Sequence, residues 1–384
     1  MQPQTSVLSN GETQVTQGSS STSFETKPMP FIHRFITNWL ITDPSLSEKY
    51  HHDVPSQAKK NYQIQPHEEM KFIYFFGGRW RSLKQKPINL VTGVLAIIPA
   101  VIFWIFESSW VWHQISPSLV IIFTYFWVLS FTLFVRSSVS DPGVLPRNIH
   151  IPVSFKQSKV DHAPDEYFNT IALPYYKSEY DGVTVKYCTT CHIWRPPRTS
   201  HCGVCNSCCS NHDHHCIFLN NCVGYRNYKY FLWFLLTAVL SSFFIIILPF
   251  IHLFHYKLVA SSEIHSIHQS IRENPMSLFL IIYGFLCGAY PFLLLCFHLF
   301  LTACNITTRE YLNYVHGSNG QATSKHKQGS DGFINVFDTR SAWKNLYINW
   351  LGRPTRLAAV KLSEDFQQGD LRFKKVYPLE TFEV

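Results

Sequence analysis

Four stretches of this chain contain no Asp, Glu, Lys or Arg: Ile88 to Phe106, Ser118 to Val135, Tyr230 to Phe254 and Met276 to Leu301. Each is long enough to cross ~30 Å of hydrocarbon as a helix. A water-soluble fold would have to bury all four at once. Charged residues make up only 15% of the chain, against ~25% in soluble globular domains. The chain therefore reads as an all-α polytopic membrane protein with four transmembrane helices.

Lys and Arg in the flanks orient it. Arg79, Arg81, Lys84 and Lys86 precede the first span, and the short loop between spans one and two carries neither residue type. Arg136, Arg147, Arg226 and Lys229 lie between spans two and three, and Arg309 follows span four. Both termini and the middle loop are thus expected on the cytoplasmic side. The predicted organisation is a largely disordered cytoplasmic tail (1–70), spans one and two (71–135), a cytoplasmic loop (136–229), spans three and four (230–301) and a cytoplasmic tail (302–384). The opening MQPQTSVLSNGETQVTQGSSSTS and the stretch from His316 to Gly332 are polar and low in apolar residues, as disordered tails and linkers are. The net charge of +8 suits an anionic membrane surface or an anionic ligand.

Eight of the eleven cysteines fall between Cys188 and Cys222. On the reducing side of a membrane such density points to metal or catalysis rather than disulfides. Cys188-x2-Cys191 and Cys202-x2-Cys205-x2-Cys208 have the short reach that lets thiolates share one tetrahedral ion, and His201, His215 and Cys222 offer further ligands. Zinc fits mixed Cys/His sites of four ligands best. Two sites need eight ligands, and the segment holds more candidates than that. With few apolar residues between the cysteines, the segment needs metal to fold, each structural zinc contributing ~10 to 16 kcal/mol. A nucleic-acid reader is not indicated, because the spacing lacks a long helix between paired Cys and paired His.

The surplus residues carry chemistry. Asp213-His214-His215-Cys216 places an acid, a base and a nucleophile in consecutive positions. A free thiol with a pKa of ~8.5 is mostly protonated at neutral pH. An adjacent histidine activates it, and a carboxylate fixes that histidine's tautomer. One of the two histidines can face a metal while the other faces the thiol. Cys216 lies fourteen residues before Tyr230, so its sulfur belongs at the cytoplasmic membrane surface. A thiol there can meet an acyl thioester whose chain lies in the bilayer, and thioester–thiol exchange is nearly balanced in energy. The residues point to acyl transfer through Cys216.

Here the sequence resembles the DHHC family of zinc-dependent protein S-acyltransferases. Cys188 to Phe231 follows the family pattern C-x2-C-x9-H-C-x2-C-x2-C-x4-D-H-H-C-x5-C-x4-N-x3-F, ending through Asn227 and Phe231. DPG at Asp141 to Gly143 and TTRE at Thr307 to Glu310 are similar to smaller family motifs, as is the aromatic-and-Asn stretch from Asn335 to Asn345. The resemblance implies a small zinc-bound, cysteine-rich cytoplasmic domain between helices 2 and 3. It implies one zinc on Cys188, Cys191, His201 and Cys208 and another on Cys202, Cys205, His215 and Cys222. It further implies Cys216 as the acylated nucleophile, His214 as its base and Asp213 as the orienter. Thr308 would bond near Asp213, and Asn345 would brace the cytoplasmic end of the bundle. The donor would be palmitoyl-CoA and the acceptors cysteine thiols of membrane-associated proteins. The tract from Cys216 to Leu236 is most similar to fungal members that acylate prenylated Ras-type GTPases at the endoplasmic reticulum with a small accessory subunit. The family's Cys-Pro-Trp is Cys216-Ile217-Phe218 here, and its C-terminal Pro and Gly are Val336 and Arg340.

Further expectations are local. Arg195 and Arg198 in WRPPR offer planar forks for coenzyme A phosphates. Phe218 and Ser241 are placed on an acyl cavity by the resemblance. His252 and His298, near span ends, read as interfacial, and Cys209 and His212 have no assigned role. The alternatives are a zinc-stabilised membrane scaffold with an inert Cys216, or a channel, which should carry ionisable residues inside its spans.

Overall fold

A computed structural model describes residues 31–36, 40–42, 71–76, 80–84, 87–145, 147, 168–171, 183–257, 264–315, 335 and 337–352. The polar opening and the stretch 316–332 lie outside these residues. In chain order the elements begin with a short helix α1 (Phe31–Phe35) and strands β1 (Ile41–Thr42), β2 (Phe72–Phe75) and β3 (Trp80–Leu83). Helices α2 (Ile88–Gln114) and α3 (Pro117–Val139) follow. Next come β4 (Phe168–Ile171), β5 (Val183–Cys188), β6 (Ile193–Trp194), β7 (Ser200–Cys202), β8 (Ser207–Cys209), β9 (His214–Cys216) and β10 (Asn221–Val223). The chain then forms α4 (Tyr228–Lys257), α5 (Ile267–Glu273), α6 (Pro275–Ala303), α7 (Thr308–Val315) and α8 (Ala342–Trp350).

Helices α2, α3, α4 and α6 are the four that are long and apolar enough to cross a membrane. Their outward faces carry Leu90, Ile105, Tyr125, Leu286 and Leu293, all exposed, as a lipid-facing surface requires. Helix α4 packs against both α3 and α6. A Cβ on Gly284 or Gly288 would come within 2.7 Å of Ile246 or 2.9 Å of Ser242, so only glycine permits the close approach of α4 and α6. Proline starts α3 and α6, where its missing N–H costs nothing.

The first span differs from its sequence reading. The helix does not stop at Phe106 but continues to Gln114 through a wide π-type turn at Phe103–Glu107. That turn aims Glu107 into the bundle, where it is 1% exposed. Its carboxylate accepts from the Ser277 hydroxyl and from His252 Nδ1 at 2.8 Å, with Trp110 stacked on the imidazole at 3.9 Å. His252 is therefore paired within the bundle. Pairing is what makes an ionisable group tolerable at this depth.

The N-terminal region also contributes more than a tail. Strands β1, β2 and β3 form an antiparallel sheet with Ile41 opposite Phe75 and Phe75 opposite Trp80. Period-two alternation turns Phe72 and Tyr74 inward, and with Leu83 they pack against Cys202, Cys205, Cys209 and Cys222. Residues 71–76 and 80–84 thus roof the cysteine-rich domain rather than leading straight into the membrane. Within that domain β4, β5 and β6 form one antiparallel sheet, and β7–β8 and β9–β10 form two hairpins.

Candidate active site

The site is built on β9, and the strand's alternation divides its labour. Successive side chains of a strand point to opposite faces, so His214 and Cys216 share one face and His215 takes the other. His215 joins Cys202, Cys205 and Cys222, and His201 joins Cys188, Cys191 and Cys208. In each set the four ligand atoms lie within 4.8 Å of one another. His215 Nδ1 is 3.4 Å from Cys205 Sγ and 3.6 Å from Cys222 Sγ, and Cys205 and Cys222 sulfurs are 3.4 Å apart. His201 Nδ1 is 3.4 Å from Cys191 Sγ and 3.6 Å from Cys188 Sγ. A tetrahedral zinc with Zn–S of ~2.3 Å and Zn–N of ~2.0 Å would separate N from S by roughly 3.5 Å. Geometry and donor set both fit such an ion at each site.

On the other face, His214 Nδ1 donates to Asp213 Oδ2 at 2.7 Å. Asp213, 3% exposed, also accepts from Thr308 N–H at 2.8 Å and from the Thr308 hydroxyl at 2.7 Å. Burial alone would raise the Asp213 pKa, but the His214 bond, the charge beside it and Thr308 lower it to about 2. Burial alone would lower that of His214, but Asp213 and the Cys216 sulfur raise it to about 10. The arrangement favours an imidazolium beside the sulfur. Cys216 is 8% exposed, packed among Phe134, Leu219, Phe231, Leu235, Val239 and Leu295. Apart from Leu219, in the turn between β9 and β10, these residues come from α3, α4 and α6, so the thiol is set into the mouth of the bundle.

The TTRE sequence explains how Thr308 reaches Asp213. Thr307 N–H donates to Glu310 Oε2 at 2.9 Å, and Glu310 N–H donates to Thr307 Oγ1 at 3.2 Å. This reciprocal pair is a capping box that opens α7, and it leaves both donors of Thr308 free for the carboxylate. Glu310 Oε1 accepts from Arg198 Nε at 3.0 Å. The rest of the Arg198 fork bonds the side chain and carbonyl of Asn305, and the guanidinium lies 4.0 Å over the Phe337 ring. Arg198 thereby fastens the cysteine-rich domain to the chain after α6. Arg195 is half-buried and without such a carboxylate bond; its charge, after burial, holds the pKa of exposed Arg309 below the ordinary value.

Asparagines tie the domain to the bundle. Asn227, fully buried, donates to Cys222 O at 2.8 Å and Ser137 O at 3.2 Å and accepts from Gly224 N–H at 2.9 Å. Asn345 donates to Ala303 O at 2.8 Å and accepts from Thr339. In the DPG turn, Asp141 Oδ1 accepts from Gly143 and Val144 N–H at 3.0 and 2.9 Å, and the carboxylate pairs with Arg226 and Arg81. Phe218 is 41% exposed with its ring 5.4 Å from Tyr290, and Ser241 is buried with its hydroxyl donating to Thr237 O. Cys209 Sγ points to Pro142 O at 3.5 Å, and buried His212 lies 3.6 Å from Cys222 Sγ. Sequence reasoning missed His298. It is 1% exposed rather than interfacial, and its imidazole centroid is 5.9 Å from that of His214.

Residues 183–315 match the DHHC palmitoyltransferase family. The chain is 53% identical to Palmitoyltransferase ERF2 of Debaryomyces hansenii over 359 residues, covering 92% of this chain and 93% of that protein. It is 36% identical to Palmitoyltransferase ERF2 of Kluyveromyces lactis over 83% of this chain and 85% of the relative. Against Palmitoyltransferase ERF2 of Saccharomyces cerevisiae it is 38% identical, over 81% and 82% respectively. The chain belongs to the DHHC palmitoyltransferase family. It is a multi-pass membrane acyltransferase of the protein S-palmitoyltransferase class.

Proposed function

We propose that Cys216 carries the acyl group as a thioester between two exchanges, with palmitoyl-CoA as donor. The observation that supports this most directly is the Thr308–Asp213–His214 chain ending beside a buried Cys216 at the bundle mouth. In the first exchange the Cys216 thiolate attacks the thioester carbonyl. The new C–S bond forms, the bond to coenzyme A breaks, and the departing thiolate takes the His214 proton. In the second, the acceptor cysteine gives its proton to His214 and attacks acyl-Cys216, and Cys216 leaves as thiolate. One thioester is exchanged for another each time, so neither step is strongly uphill. Asp213 keeps Nδ1–H of His214 pointed away, which leaves the other ring nitrogen for the sulfur.

The two Cys3His sets would hold zinc as structural ions. Zinc there closes the β7–β8 and β9–β10 hairpins and fixes β9, and with no open position it takes no part in the transfer. Arg195 and Arg309, two like charges brought together, are the candidate anchors for the donor's phosphates. The resemblance of the tract from Cys216 to Leu236 to fungal Ras-acylating members is the support for prenylated Ras-type GTPases as acceptors, a small accessory subunit and the endoplasmic reticulum membrane. Positive flanks support cytoplasmic termini.

The test is labelling of the purified chain with a clickable palmitoyl-CoA analogue, followed by neutral hydroxylamine. Hydroxylamine-labile label on the wild type, lost in Cys216→Ala at unchanged zinc content, is expected. Cys188→Ala should lose zinc and protease resistance together with label. Label that persists in Cys216→Ala would place the acyl group elsewhere. No label on the wild type, alone or in membranes where an accessory subunit is present, would leave a zinc-stabilised scaffold.

A further inference from the structure

A second polar pair adjoins the catalytic one and comes wholly from the bundle. His298, on the last turns of α6, is hydrogen-bonded through its Nδ1 to the hydroxyl of Tyr228, the first residue of α4, at 3.0 Å. Either the phenol donates to a bare Nδ1 or Nδ1–H donates to the phenol oxygen, and in both cases Tyr228 satisfies that nitrogen of His298. A nitrogen of His298, a nitrogen of His214 and an oxygen of Asp213 all lie within 4.8 Å of one another. Phe231 stands edge-on to both imidazoles, 5.5 Å from His214 and 5.1 Å from His298.

This trio is poorly suited to be a third metal site. Both Asp213 oxygens already accept from Thr308, and Oδ2 also accepts from His214. Nor is packing a sufficient reason for an imidazole here. A leucine would fill space between α4 and α6 without burying polar nitrogens, whereas a buried imidazole costs stability unless it is hydrogen-bonded. Tyr228 supplies that bond.

We infer that Tyr228 and His298 are positioning residues for His214, and the inference rests on the acyl-Cys216 reading above. The reacting groups come from two bodies. Cys216 and His214 belong to the cysteine-rich domain, while an acyl chain threaded between helices belongs to the bundle. Asp213 and Thr308 hold His214 from the domain and its C-terminal brace. The Tyr228–His298 pair packs beside it from the bundle, with the two imidazole centroids 5.9 Å apart, and so registers the base against the thioester. A misplacement of about 1 Å at such a point costs on the order of a hundredfold. Because donor binding does not require this register, the effect belongs in the rate constant and not in the affinity.

The experiment is single-turnover labelling of the purified full-length chain across a range of the clickable palmitoyl-CoA analogue, with zinc content and thermal stability measured on each variant. Tyr228→Phe removes one hydroxyl and should lower the maximal rate about tenfold, with the half-saturating concentration unchanged. His298→Leu should lower it at least as much, and Tyr228→Phe added to His298→Leu should cost nothing more, since the two act as one unit. His298→Gln keeps an acceptor for the tyrosine and should restore most of the rate. Wild-type rates in Tyr228→Phe would overturn the inference. So would losses in His298→Leu that track zinc loss and are not recovered by His298→Gln. Cys216→Ala runs alongside: label surviving in that variant would overturn the acyl-Cys216 reading itself.

Discussion

Thr308 illustrates how much of this chemistry depends on residues far from the histidine cluster. Its hydroxyl supplies one of three bonds to the Asp213 carboxylate, and its backbone N–H supplies another. Thr308→Val removes the hydroxyl and keeps both the shape and the N–H. A hydrogen bond to a charged group is worth ~1.5 to 3 kcal/mol, so acylation of Cys216 should fall roughly tenfold to a hundredfold at unchanged zinc content. Thr308→Ser should keep most of the activity. Equal rates in Val and Ser variants, read by single-turnover labelling, would show that the N–H alone orients Asp213. That one of the two histidines faces a metal and the other the thiol was legible in the sequence, but which does which came only through resemblance until β9 showed that its three residues alternate faces. The role of Thr308 was available only through resemblance, since nothing local to TTRE names a partner 95 residues away. The ion pair of Arg198 was hidden for the same reason: its partner Glu310 lies 112 residues on, and a basic residue in a loop looks solvated until that partner is known. His298 gave no sign at all, being one histidine in an apolar run with no periodic pattern to set it apart.

Among the elements, the four spans were the most legible, because length and absence of charge suffice to define them. Their ends were not. The first span was closed at Phe106 because Glu107 follows, yet the wide turn at Phe103–Glu107 carries the helix past it. Strands β2 and β3 were also missed, since four-residue strands beside a long apolar run have too few positions to show a period of their own. The wide turn has a testable consequence. Glu107 is the shared acceptor for His252 on α4 and Ser277 on α6, and so joins three helices at the end remote from the active site. Glu107→Ala leaves Ser277 and His252 with only their long 3.5 Å contact to each other, a loss of ~1 to 3 kcal/mol for each strong bond removed. Melting of the detergent-solubilised protein should fall by several degrees, while Glu107→Gln, which retains an acceptor, should fall by much less. If Ala and Gln variants melted alike, the bonds would contribute little and packing around Trp110 and His252 would hold this end.

Taken whole, the molecule is a cysteine-rich domain with two Cys3His sets seated on a helical bundle, and function depends on the seat. Three fastenings make it: Asn221 and Asn227 to the last carbonyls around α3, Arg198 to Glu310 and Asn305, and Asp141 to Arg226 and Arg81. The Asp141 fastening joins three regions, since Arg81 comes from the N-terminal sheet and Arg226 from the turn before α4. Burial would raise the Asp141 pKa, but Arg81, Arg226 and the Val144 and Gly143 N–H groups outweigh it and hold the carboxyl below its ordinary range. A carboxyl depressed in the folded state adds stability above its unfolded pKa of ~3.9, and that contribution is lost only as pH falls through the folded value. Between about pH 5 and 8 Asp141 is ionised in both states, so its contribution there is constant. Asp141→Asn leaves two buried or half-buried guanidiniums without their carboxylate, a change of about 3 kcal/mol by comparison with other broken buried pairs. The variant should melt well below the wild type at pH 7 and by the same margin at pH 5.5, a window in which the zinc ligands are not yet stripped by acid. It should also label slowly at normal zinc content, because the nucleophile's domain is loosened from the bundle that holds the acyl chain. A deficit that shrank between pH 7 and 5.5 would mean that Asp141 titrates near its free value, and that the two arginines do not hold the seat through it.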